Sequence, residues 1–171
     1  MKTGQNFWLL YSLLAIVQTV ICNYLQFNPY AVVTILPAMV FCIPLQIGTS
    51  ACMLISFITG LAVDWLSEGI IGLNAAAIVP VALARKQMIR SFLGEDLIAR
   101  NDSFTFRKNG FQKIAIALLV ATAAFLTIYI ILDGAGTRPI WFSLARFGIS
   151  LTINMILALI ITSLLTPEDR K

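Results

Sequence analysis

Apolar stretches follow one another along this chain, separated by short turns of polar residues, proline and glycine. The first runs from Phe7 to Leu25, with Trp8 and Tyr11 at its start and Tyr24 at its end, where amphipathic rings favour the headgroup level of a membrane. A second, 30–45, contains Pro37 and ends near Pro44. Proline removes a backbone donor and crowds the preceding turn, so this stretch is expected to be kinked, and tilted or partly re-entrant. Further apolar stretches cover 48–65, 70–85, 111–132 and 140–165, with Pro80 expected to kink the fourth. The pattern predicts an all-α integral membrane protein, a six-transmembrane-helix bundle forming one membrane domain over 1–171. The first stretch lacks a small-residue cleavage pattern and has further spans behind it, so it reads as a span rather than a secretory signal.

Composition supports this class. Of 171 residues 59% are hydrophobic and 12% charged, with a mean hydropathy of +0.89, whereas a soluble domain carries about 25% charged residues. The net charge of +4 would suggest nucleic acid in a soluble chain. Here it has a topological explanation that leaves nucleic-acid binding without support. Arg85, Lys86, Arg90, Arg100, Arg107, Lys108 and Lys113 cluster in and beside a connection at 86–110, and lysine and arginine hold short loops in the cytoplasm. With both termini also cytoplasmic, Lys2, Arg170 and Lys171 join them, leaving Arg138 and Arg146 on the outer half. Ile89, Phe92, Leu93 and Leu97 fall near a helical period, which predicts a short interfacial helix on the inner leaflet. Arg85, Lys86, Arg90 and Phe92 would there contact anionic lipid or dock a cytoplasmic partner.

Candidate chemistry is sparse. Histidine is absent, and Cys22, Cys42 and Cys52 lie within apolar stretches as small filler, so no metal site, cofactor or activated nucleophile is expected. Two stripes stand out at a spacing of four, which places each on one helix face. One is Cys52, Ser56, Gly60, Asp64 and Glu68; the other is Arg146, Ser150, Asn154, Ala158 and Thr162. A charge left alone at mid-helix costs about 3 kcal/mol on insertion scales. The third and sixth spans are therefore expected to pack through these faces, with Asp64 bridged to Arg146; the alternative leaves Asp64 and Glu68 among the outer headgroups, preferred for Glu68. Asn74 and Ala75 to Ala77 offer a small surface for close backbone approach, and Gln18 is expected to pack against a neighbouring helix. Two carboxylates without a partner base give catalysis no footing, and the glycines at 60, 69 and 72 lack the lysine of a phosphate loop.

The run Gly60, Asp64, Trp65, Gly69, Gly72, Leu73 and Asn74 resembles the signature region of the rod shape-determining protein MreD family, closer to its Bacteroidetes-like variants. Chain length, hydropathy and the basic connection after the fourth span fit as well. The resemblance implies a fold similar to the substrate-capturing subunits of energy-coupling factor transporters. It also implies a non-enzymatic subunit of the bacterial cell-elongation machinery in the inner membrane, supporting cell shape and lateral peptidoglycan synthesis. Its partners would be MreC and, with it, RodA, a class B penicillin-binding protein and the filament protein MreB. Asp64 would be the family's aspartate, shaping the outer end of a groove, with the matching glycines structural. A vitamin-capturing transporter subunit is the main competitor, with Asp64, Glu68, Asn74, Trp141 and Arg146 as ligand contacts. A general assembly or quality-control protein is a third reading.

Overall fold

The computed structural model describes residues 3–25, 30–67, 70–94, 110–134 and 137–165. They form α1 (Thr3–Leu25), α2 (Leu36–Phe41), α3 (Thr49–Leu66), α4 (Leu73–Leu93), α5 (Phe111–Gly134) and α6 (Ile140–Leu165). Four of these, α1, α3, α5 and α6, are long and apolar enough to cross a membrane. At 1.5 Å per residue the shortest, α3, spans roughly 27 Å and α6 roughly 39 Å, against about 30 Å for a hydrocarbon core. The protein is a multi-pass membrane helix bundle.

The surface follows from that solvent. Leu9, Leu13, Ile16, Leu54, Ile58, Ile116 and Ile156 are exposed on the helices, where a lipid tail accepts them without penalty. The interior is sorted by position in the bundle. α5 is the most enclosed span, packed against α4, α6 and α2, whereas α1 lies at the edge against α3. Ala117, Leu118, Ala121, Phe125 and Leu126 on α5 are fully buried, and their small members let α4 approach closely.

Two expectations need correction here. α4 does not end at Arg85. Its inward stripe continues through Ile78, Val81, Ala82, Arg85 and Ile89, so the helix runs unbroken to Leu93 with Pro80 inside it. Arg85, Lys86, Arg90 and Phe92 are thus helix residues rather than loop residues, and Ile89 is fully buried, which a helix lying flat on a membrane surface would not achieve. Leu97 and the rest of the connection to residue 109 lie outside the described residues.

The second correction concerns the stretch after Tyr30. It is not a kinked helix: residues 31–34 are non-helical, Ile35 takes helical backbone angles as the N-cap of α2, and turns lead on to α3. Val32, Val33, Thr34 and Ile35 are all β-branched, which favours the extended backbone. Pro37 falls in the first turn of α2, where its missing donor costs no intrahelical bond. The stretch runs alongside α6. The Tyr30 ring meets the Phe142 ring at 5.3 Å between centroids, Val32 meets Ser150, Thr34 meets Asn154, and Cys42 meets Thr162. Phe142 and Thr162 are about 30 Å apart along a helix axis, so this half-extended, half-helical stretch covers a bilayer-core length.

Candidate functional site

The α3–α4 hairpin gathers Gly60, Asp64, Gly72 and Asn74 into one unit. Asp64 sits half a turn from the end of α3, and its carboxylate accepts four hydrogen bonds from the start of α4. Oδ2 takes the backbone N–H groups of Gly72 at 3.0 Å and Ala75 at 3.2 Å. Oδ1 takes the backbone N–H of Asn74 at 3.1 Å and its Nδ2 at 2.8 Å. The first N–H groups of a helix have no partner within it and carry the positive end of its dipole, so a carboxylate supplied by the neighbouring helix both satisfies and neutralises them. Gly72, which begins α4, has φ +92°, a left-handed conformation natural to glycine. One turn back on α3, a Cβ at Gly60 would fall 2.7 Å from Ala75 Cα, so only glycine allows the two helices to come this close.

Asp64 is buried. Its two oxygens are engaged by these four donors at the start of α4. The expected bridge to Arg146 is not formed. Arg146 NH1 instead pairs with Asp133 Oδ2 at the end of α5, and Arg138 NH2 approaches the same oxygen at 3.8 Å. The local reason is that Asp133 is thirteen residues from Arg146 across one tight turn, whereas α3 and α6 share no extensive interface: α3 packs on α4 and α1, α6 on α5 and α2. The stripe on α3 is nonetheless buried as a face, with Cys52, Ser56, Gly60 and Asp64 all inward. Glu68 and Gly69 lie outside the described residues.

The stripe on α6 has another role. Ser150 Oγ accepts from Val32 N–H at 2.8 Å, while Asn154 takes Thr34 N–H on Oδ1 at 2.8 Å and gives Nδ2 to Val32 C=O at 2.7 Å. Asn154 thus stands in for a neighbouring β-strand. From α1, Gln18 Oε1 accepts Ile35 N–H at 2.7 Å, so Gln18 packs against the residue that caps the start of α2. At the other end of α2, buried Arg85 donates Nε to Phe41 C=O at 3.1 Å and NH2 to Ile43 C=O, with NH1 3.8 Å from Cys52 Sγ.

Beside the hairpin lies a cavity of about 130 Å³ whose polar lining is Asp64, Ser67, Asn74, Tyr129 and Asp133. Ligand pockets for drug-sized molecules run roughly 300–1,000 Å³, so this one is too small for a vitamin. Trp141 is 83% exposed on α6 and is not among the residues that line this cavity. No group of three or more metal-ligating side chains occurs among the described residues. The roles of Asp133 and Arg85 were not apparent from the sequence. A turn-flanking acid thirteen residues before an in-span arginine is a usable signal for the first; nothing local marks the second. Comparison of the chain with protein-family models, curated proteins and solved structures finds no match in any of the three.

Proposed function

We propose that this chain is a non-enzymatic membrane subunit of the bacterial cell-elongation machinery, of the MreD type, supporting cell shape and lateral wall synthesis through binding to MreC. The observation that carries the reading is the hairpin itself. Gly60, Asp64, Gly72 and Asn74, four of the residues behind the resemblance, converge on one close-packed, capped helix junction. That is a scaffold's chemistry, in which a carboxylate fixes the angle between two helices. The competing transport role is weakened by the same geometry, since Asp64 and Asn74 are spent on each other and Arg146 on Asp133.

In this reading α4 and the half-extended stretch also cross the bilayer, giving six crossings and cytoplasmic termini. Exposed Lys86, Arg90 and Lys113 then lie at the cytoplasmic end, opposite the hairpin, in keeping with positive charge on that side and in reach of anionic lipid headgroups. RodA, a class B penicillin-binding protein and MreB are the expected wider assembly. Solubilising the tagged wild-type chain from its native membrane and identifying bound proteins by mass spectrometry tests this. MreC with wall-synthesis enzymes is the expected recovery; a transporter ATPase pair in their place would reject the reading.

A further inference from the structure

The lipid-facing surface turns from apolar to polar at different depths on the two sides of the bundle, and direct contacts fix the levels. At the hairpin end Asp64 of α3 meets Asn74 of α4, and the cavity that both line is also lined by Asp133 of α5. Towards the other end Arg85 NH1 is 3.8 Å from Cys52 Sγ on α3 and Arg85 Nε bonds Phe41 C=O, while the next residue, Cys42, meets Thr162 of α6. Arg85, Cys52 and Thr162 therefore share a layer. Cys52 lies about 18 Å along α3 from Asp64, and Arg85 about 17 Å along α4 from Asn74, so the two helices run side by side with little offset.

In and below that layer α5 and α6 stay apolar. Ile160 and Leu164, on either side of Thr162, are roughly half exposed, as are Leu119 and Ile116 at about 21 and 26 Å from Asp133. On α4 the exposed face runs through Ala76, Pro80 and Leu83 and then turns polar, with Lys86, Gln87, Arg90 and Ser91 at about 18–26 Å from Asn74. α3 turns polar at the same depth: Ser50 is exposed about 21 Å from Asp64, and Gly48 and Gln46 follow it. A flat hydrocarbon boundary cannot fit both sides. Drawn to cover Ile116 and Leu164, it leaves the Gln87 amide among lipid tails, and that side chain is too short to snorkel as Lys86 and Arg90 can.

We infer that the leaflet is drawn in by about 8 Å along α3 and α4, and that an anionic phospholipid seats there, its phosphate on Lys86 and Arg90 and an acyl chain along Leu83 and Pro80. Charge selects the headgroup. Lys86 and Arg90 share one exposed face, and the acids among the described residues, Asp64 and Asp133, both lie at the hairpin end. Depth selects a lipid over free phosphate, because the basic face continues into exposed Leu83 within the bilayer. The inference takes no support from the elongation reading, which partner recovery tests separately.

Spin labelling of the full chain in nanodiscs of phosphatidylcholine and phosphatidylglycerol in equal parts tests the step in the boundary. Nitroxides at Gln87→Cys and at Ile116→Cys are compared for collision with oxygen and with a water-soluble nickel chelate, the wild-type chain giving the background from buried Cys22, Cys42 and Cys52. Position 87 is expected to report headgroup polarity and position 116 hydrocarbon. Hydrocarbon at both would overturn the inference and point to a protein covering α4 in the native membrane; headgroup polarity at both would overturn it by removing the asymmetry. Boundary lipid gives the second readout. Spin-labelled phosphatidylglycerol should associate with the wild type at least about twofold more strongly than spin-labelled phosphatidylcholine, and Lys86→Gln with Arg90→Gln should remove about half of that preference or more. The charge-keeping pair Lys86→Arg with Arg90→Lys should retain it. No preference in the wild type, or a preference unchanged in the neutral pair, would contradict the headgroup site.

Discussion

Asp64 and Arg85 are buried charges that close helix ends in opposite senses. The carboxylate of Asp64 receives the N–H groups at the start of α4, and the guanidinium of Arg85 donates to the carbonyls at and just past the end of α2. Each charge complements the dipole end it meets, and each answers the problem that a bilayer leaves no water for an open helix terminus. They differ in reach. Asp64 acts across a hairpin on residues eight to eleven positions away, and Arg85 on residues more than forty positions away. The first fixes a local junction; the second ties the half-extended stretch to the core of the bundle, so it can form only once α2 and α4 have come together.

The largest effect is expected at Asp64. Asp64→Ala leaves three backbone N–H groups and the Asn74 amide without an acceptor, and the expected loss is about 3–4 kcal/mol of stability, read by reversible unfolding in detergent or bicelles. Arg85→Met should cost less, about 2 kcal/mol, because the lost carbonyl bonds are partly offset by removing a buried charge. A larger loss at Arg85 than at Asp64 would reverse the ranking and make the remote tie the dominant one. Gly60→Ala should cost about 1–3 kcal/mol by forcing α3 off the backbone of Ala75, with Ser56→Ala, elsewhere on the same stripe, far milder. The smallest effect separates the two acids. In double-mutant cycles Asp133 and Arg146 should show coupling of about 1 kcal/mol, while Asp64 and Arg146 should add within about 0.5 kcal/mol. Coupling confined to Asp64 and Arg146 would restore the bridge that the geometry denies.

What could be read in the chain follows the same division between near and far. The apolar lengths of α1, α3, α5 and α6 are properties of single segments, and the periodic stripe of Cys52, Ser56, Gly60 and Asp64 identified a buried face because helical spacing alone decides it. The partner of that face was not legible, since spacing says which side chains share a face and not what the face meets. Depth matching favoured Arg146 for Asp64, but depth ignores the backbone donors at the start of α4, which carry no signature in side-chain identity. Arg85 was assigned to a loop because a charge usually ends an apolar run; here the carbonyls of Phe41 and Ile43 make it tolerable inside. The second stretch was recognised as irregular from Pro37, though its extended half came from β-branched residues and from Asn154 and Ser150 across the bundle. No local pattern announces an asparagine more than a hundred residues away as a substitute strand.

Asp64 serves the protein by setting the α3–α4 junction, and is expected to reach any partner only through that fold. The decisive measurement is thermal unfolding of Asp64→Ala beside the wild-type chain, with capture of the proposed partner, MreC, from the native membrane normalised to the folded fraction of each. A marked loss of stability with capture per folded molecule unchanged is the predicted result. Unaltered stability with capture abolished would make Asp64 a contact residue and contradict the claim.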